Sequence, residues 1–386
     1  MKNNEIASTQ RIDALYERVS ALIEQGRQRA ATAVNLAEVY TKYAVGQFIV
    51  QDEQQGEERA AYGKGVLKGL SEKLNDRFGG GWSVETLDKC RKFYRVYSTN
   101  TISSTVQTKL PDKKSATPQL KSSTLQTISE LPFDGMPTFT LSWNHYQVLM
   151  RIDNPDERSF YEIESRQQQW SLRQLKRQVG SSLYERLALS RDKDAVMRLA
   201  REGQTFEKPT DVLKNPLTLE FLGLKPDATY TESKLENAII SRMQQFLLEM
   251  GKGFLFEARQ KRFTFEERNF YVDLVFYNRL LQCYVLIDLK CDDLTHQDLG
   301  QMQMYVNYYD RYVRQDFEKP TIGILLCETA SQPMVELTLP KDANIYAQQY
   351  ALCLPDKALL QSKLREWVAE FNERTEEEGT KERGEE

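Results

Sequence analysis

The sequence predicts a two-part protein, an all-α N-terminal region followed by an α/β domain whose mixed sheet is flanked by helices. Three observations carry this. Apolar residues recur at three- and four-residue steps through much of the first half of the chain, the period of an amphipathic helix. After residue 232 the pattern changes to short apolar runs, NFYVDLVF at 269–276 and CYVLIDLK at 283–290, which read as strands buried on both faces. Those runs lie between helical periods at 232–250 and 295–313, as expected of a sheet covered by helices.

The chain's 386 residues exceed what one ordinary core serves, and 40% hydrophobic with 28% charged residues allows buried cores under a hydrated surface. No stretch approaches the ~20 apolar residues of a membrane helix, and the opening MKNNEIASTQ lacks the apolar segment of a signal peptide. Five scattered cysteines form no C-x-x-C pair, which argues against structural zinc and a disulfide framework. The expected location is the cytoplasm. Net charge is −4, and residues 373–386 alone carry seven acids and three bases, so the remainder is neutral. Within it, 171–201 holds eight bases against three acids, a nucleic-acid-facing patch or simply a solvated helix face.

In chain order, helices are expected at 8–31 and 33–55, with Ile12, Leu15, Val19 and Leu22 on one face. A third at 64–78 stops at Gly79-Gly80-Gly81, and Ser83 caps a fourth, VETLDKCRKFYRVY. Its Lys89, Arg91, Lys92 and Arg95 after a glycine turn suggest a helix-turn-helix, although ordinary helical hairpins share the pattern. Residues 99–139, rich in Ser, Thr, Pro and Lys, read as a flexible insertion. Helix resumes near Trp143 and continues at 156–168 and 171–188, the latter capped by Ser171, completing a helical region over 8–200. Three prolines mark 203–231 as a connection. The second domain spans 232–373, with strands at 254–261, 269–278, 283–290, 321–327 and 344–350 and a closing helix at 356–372. Residues 374–386 form an acidic, disordered tail.

Charges inside the two apolar strands single out the chemistry. Asp273 lies in the first, Asp288 and Lys290 in the second, and an unpaired charge there costs several kcal/mol. Residues two apart share a strand face, so Asp288 and Lys290 point together, and a hairpin through 278–282 sets Asp273 opposite Asp288. The other face would carry Val272, Leu274, Phe276, Val285, Ile287 and Leu289 as core. Two facing carboxylates call for a counter-charge. A hard cation such as Mg²⁺ meets that need and could polarise a phosphodiester and activate water, with Lys290 orienting or deprotonating the water or stabilising the phosphorane. A buried Asp–Lys pair that only holds strands together is the plainer alternative. Glu236 shares a helical face with Ile240, Met243 and Leu247, points inward and could add a ligand, or pair with a basic neighbour. Gln301 and Tyr305, four apart on the 295–313 helix, could steady a phosphate or the nucleophile. Arg259, Gln260, Lys261 and Arg262 form an edge suited to phosphate contact, and His296 reads as a polar contact at a helix start.

Glu236, Asp273, Asp288-Leu289-Lys290 and the downstream Q-x-x-x-Y of Gln301 and Tyr305 resemble the PD-(D/E)XK nuclease superfamily, the last motif resembling its RecB-like branch. The phrases YVDLVFYNRLLQCYVLIDLK, LTHQDLGQMQMYVNYYD, LSWNHYQVLMRI and LYERLALS resemble the bacterial YhcG-like nucleases over nearly the whole chain. The resemblance implies a restriction-endonuclease-like fold, with Asp273, Asp288 and Glu236 as metal ligands and Lys290 as the motif lysine. Val272 stands where the superfamily name has Pro, a change that removes no ligand. The expected function is hydrolysis of phosphodiester bonds, in DNA, with Mg²⁺ or Mn²⁺. The helical region would bind nucleic acid or a protein partner, and a homo-oligomer would supply two sites for two strands. The rival classes are a nucleic-acid-binding adaptor and a defence-system scaffold, each with an inactive nuclease fold.

Overall fold

The computed structural model describes residues 2–55, 60–98, 136–189, 193–214, 216–225, 230–329, 332–340 and 343–366. Most of the expected 99–139 insertion and the whole acidic tail lie outside them. The chain divides into two compact units, residues 1–153 and 154–386.

In the first unit the expected pair of helices is one, Lys2–Gln55, because no proline interrupts it. Helices Ala60–Phe78 and Val84–Ser98 follow, separated by the glycine run, where Gly79 takes φ +80°. Ser83 Oγ accepts the Thr86 N–H at 3.2 Å. The first helix crosses the third at Gly46, where a Cβ would come within 2.0 Å of the Cys90 carbonyl oxygen. Beside that crossing, Tyr43, Phe93, Phe139 and Tyr146 pack edge-on or tilted. Basic residues of the third helix are turned to acids: Arg91 and Arg95 meet Glu53 at 2.7 and 2.8 Å, and Lys89 meets Glu85 at 2.6 Å. Leu15, Val19 and Leu22 remain exposed on the first helix.

The second unit starts upstream of the anticipated 203–231 connection, at helix Pro155–Gln167. The expected 171–188 helix is two, Leu172–Gly180 and Leu183–Ala188, broken where Ser182 enters the left-handed region at φ +53°. Ser171 and Gln174 form a capping box. The basic 171–201 segment is partly internal. Arg177 and Arg186 grip the fully buried Glu249 at 2.9 and 2.5 Å, and the Thr218 N–H adds a third bond at 3.0 Å. This buried network fastens the preceding helices to the sheet domain.

The sheet has six strands in the order β1-β6-β5-β4-β3-β2: β1 Leu217–Thr218, β2 Phe254–Phe265, β3 Arg268–Asn278, β4 Cys283–Lys290, β5 Ile322–Cys327 and β6 Ile345–Ala351. It is mixed, β2–β3–β4 being antiparallel and β4–β5–β6–β1 parallel. Helix His296–Tyr312 forms the β4-to-β5 crossover, as parallel strands require. On one face, Leu274, Phe276, Val285, Ile287 and Leu289 pack against Leu235, Ile239 and Phe246. On the other, Val275, Leu286 and Leu325 pack against Leu299, Met302 and Tyr305. Val272, expected on the first face, belongs to the second, the alternation of β3 being broken between Val272 and Leu274, opposite Gln260 with its left-handed backbone. The 232–250 helix is broken at Arg242 into Glu232–Ser241 and Met243–Met250, so Glu236 and Met243 do not share a continuous face.

Candidate functional site

The site forms where the β3–β4 ladder runs out, at the end of β4 and ahead of helix His296–Tyr312. Continuing the β3–β4 register sets Asp273 opposite Asp288, and the β2–β3 register sets Gln260 opposite Asp273. Three strands thus line up Gln260, Asp273 and Asp288 in one row. Instead of continuing the ladder, Asp273 Oδ2 accepts the backbone N–H of Leu289 at 2.8 Å.

Asp288 is 3% exposed. Burial, and then the Asp273 carboxylate, push its pKa up to about 7 against the opposing pull of Lys290. Lys290 Nζ lies 2.9 Å from Asp288 Oδ2, a contact ion pair with this buried oxygen. Lys290 also lies 3.4 Å from Glu232 Oε1 and 3.7 Å from Asp298 Oδ1. Burial opposes its charge, but Asp288, Glu232 and Asp298 outweigh it and hold the ammonium above its ordinary range.

Glu236 is buried as the helical period predicts, but Arg259 pairs with its Oε1 and Gln260 Nε2 donates to its Oε2 at 2.8 Å. The same Nε2 lies 2.8 Å from Asp273 Oδ1. Gln260 sits in the left-handed region, φ +47°, in the middle of a strand, a conformation that costs a non-glycine residue about 1–3 kcal/mol. Arg259 and Gln260 therefore turn to carboxylates rather than forming only a phosphate-facing edge. Sequence reading missed this role, and the one available signal was that hairpin register puts Gln260 across from Asp273.

Gln301 and Tyr305 come together, the amide donating to the phenol oxygen. Tyr305 is 1% exposed, and burial, with Asp288 and Asp273 nearby, raises its phenol above the usual value although the Gln301 bond pulls the other way. His296 is exposed in the first turn, behind a Thr295–Asp298 capping box.

These residues suit a hard divalent cation in chemistry: a buried carboxylate faces a second one, and its nearest cation is an ammonium shared with two further acids. Asp273 and Asp288 are the natural pair. Glu236 stands apart, across the Gln260 amide, and among the described residues no three Asp, Glu, His or Cys side chains converge as a ready ligand set.

Comparison with known proteins bears on both units. Residues 210–365 match the YhcG PDDEXK nuclease domain and residues 18–186 the DUF1016 N-terminal domain. The chain is 34% identical over 351 residues to “Putative nuclease YhcG” of Escherichia coli (strain K12), covering 91% of this chain and 92% of that one. The crystal structure of a repair endonuclease from Pyrococcus abyssi aligns over 34% of this chain and 50% of that one, at 18% identity and a TM-score of 0.24, too low to carry any argument.

Proposed function

Because the chain belongs to the YhcG-like family of PD-(D/E)XK nucleases, we propose that its C-terminal domain hydrolyses phosphodiester bonds in DNA with Mg²⁺ or Mn²⁺, using Asp273, Asp288 and Lys290. The observation that carries the reading is Asp288. A buried carboxylate facing a second one, offset only by an ammonium that two further acids share, is a poor structural element and a good half of a cation site.

Asp273 and Asp288 would hold the cation, which when bound supplies Lewis acidity toward the phosphate and a more acidic water. Asp273 is oriented by the Leu289 N–H and by Gln260, so its carboxylate is aimed before any ligand arrives. Three surrounding carboxylates favour the charged form of Lys290, which suits it to stabilise negative charge on the phosphorane rather than to take a proton from water. Tyr305 stays a protonated phenol, and with Gln301 it offers neutral hydrogen bonds to a phosphate oxygen or the nucleophile. Glu236, fixed by Arg259, supports the site from the side, directly or through water.

The helical unit would contact nucleic acid or a protein partner. Since Arg91 and Arg95 already satisfy Glu53, the weight of any electrostatic contact falls on other bases, such as the exposed Lys92.

The test is cleavage of plasmid, linear duplex, single-stranded DNA, a branched junction and RNA, each with Mg²⁺, Mn²⁺ or EDTA, with Asp288→Ala alongside. Metal-dependent cutting of DNA that the variant loses supports the proposal. Equal cutting by the variant sinks the assigned site, and binding without cutting by either protein moves the function to an adaptor.

A further inference from the structure

Beside the carboxylate row, along helix His296–Tyr312, lies a groove of about 300 Å³ that the chemistry above does not use. Its walls are the rings of Phe263 and Phe265 from β2 and of Tyr308 and Tyr312 from the helix, with Asn307 and Arg311 at the rim. Phe263 and Tyr308 stack at 4.0 Å and 19°, and Tyr312 leans on Tyr308 at 5.3 Å. The outer rings are open to solvent, Tyr312 being 64% and Phe265 43% exposed. Large aromatic rings left in water at this density are a feature to explain, since one exposed ring is ordinary and a lined groove is not.

Three observations say what fits. Flat aromatic faces accept any nucleobase by stacking, without reading sequence. Arg311 is exposed and makes no ion pair among the described residues, which leaves a cation for a backbone phosphate. Asn307 uses its Oδ1 to accept Gln303 Nε2 at 3.1 Å, and its own amide N–H groups make no other hydrogen bond among the described residues. The groove is also continuous with the candidate active site. Phe263 meets the ring of Tyr305 edge-on at 5.6 Å, and Tyr305 takes the hydrogen bond from Gln301.

Spacing supplies the register. A helix rises about 1.5 Å per residue, so Tyr308 stands roughly 10 Å and Tyr312 roughly 16 Å along the axis from Gln301. At about 3.4 Å per stacked nucleotide, those rings fall about three to five nucleotides from a phosphate held at Gln301. A paired base cannot offer its face to these rings, so the ligand must be unpaired there.

We propose that this groove is a stacking subsite for unpaired nucleobases of a single strand lying along helix His296–Tyr312, a few nucleotides from the bond to be cut. The inference rests on the nuclease reading for the identity of its ligand. The substrate class follows: single-stranded DNA, or duplex DNA with a single-stranded tail or junction arm, is bound in preference to blunt duplex.

The test separates the subsite from the cutting. Full-length protein in EDTA is titrated into short single-stranded DNA carrying 2-aminopurine at one position, and into the matching duplex. Quenching of 2-aminopurine with tighter binding of the single strand is expected. Tyr312→Ala should weaken single-strand binding about tenfold, with Tyr312→Phe restoring it. Arg311→Ala should lower the slope of log affinity against log salt by about one. Because Tyr312 and Phe265 are exposed, Tyr312→Ala and Phe265→Ala should each keep the wild-type melting temperature. If Tyr312→Ala combined with Phe265→Ala melts normally and binds the single strand as wild type does, the subsite is refuted. A change of oligomeric state in that double variant, with DNA binding intact, refutes it equally by making the groove an interface between copies of this chain. Cutting with Mg²⁺ is scored apart: a wild type that quenches but cuts nothing overturns the nuclease reading alone, and one that cuts without quenching overturns the subsite alone.

Discussion

The side-chain amide of Gln260 donates to Asp273 Oδ1 at 2.8 Å, across two antiparallel strands, from a backbone held in the left-handed region. The same nitrogen reaches Glu236 Oε2. One amide therefore ties a strand carboxylate to a helix carboxylate, and the local strain is sustained by both bonds. Gln260→Ala should lower cleavage and raise the cation concentration needed for half-maximal rate, each by about 10- to 100-fold, the usual range for groups that orient ligands. A cation titration of the cutting rate checks this. An unchanged half-saturation point would mean that Gln260 only fills space.

Asp288 sets a pH dependence. Burial and Asp273 raise its folded-state pKa from 3.8 to about 7, so the folded protein holds that proton more tightly than the unfolded chain does. Its contribution to stability is complete below about pH 3.8 and is lost as pH rises through about 7. In EDTA, the Asp288-dependent part of the melting temperature should fall across that window, and Asp288→Asn should flatten it. Added Mg²⁺ should then raise the melting temperature more at pH 8 than at pH 5, because the cation competes with the proton for the same carboxylate. Melting curves at several pH values, with and without the ion, decide it.

Lys290 should act by charge. Lys290→Gln is expected to cut the rate by about 10²-fold or more while leaving the protein folded, because the residue lies at the end of β4 rather than in its centre. Below about pH 9 the wild-type rate profile should carry no inflection that Lys290→Gln removes, since the surrounding carboxylates keep the ammonium charged. Such an inflection would instead assign it the role of base.

Glu249 should matter for folding and not for cutting. Burial disfavours its charge, but Arg186, Lys214 and Arg177 overcome that and bring it down to about 2. Its contribution is present above the ordinary 4.5 and lost as pH falls toward 2. Glu249→Gln leaves the buried Arg186 guanidinium without its carboxylate, while Arg177 keeps Glu220, and should cost about 3–5 kcal/mol in urea unfolding. A smaller change with normal cooperativity would show that water takes over Arg186.

What could be read directly was the part governed by short-range rules. Strand parity puts Asp288 and Lys290 on one face, and a four-residue connection makes β3 and β4 a hairpin that sets Asp273 against Asp288. The fold class follows from the switch between helical and strand periods, which local sequence encodes. Tertiary structure alone decided the rest. The bases of 171–201 look like a surface patch until Arg177 and Arg186 meet Glu249 across more than sixty residues of chain. Gln260 looks like one polar residue in a basic run until a left-handed backbone turns its amide toward two carboxylates, a conformation no propensity predicts for glutamine. Pattern reports which residues are apolar and at what spacing. Only the folded chain reports which charges neutralise each other, because that depends on distances between segments far apart in sequence.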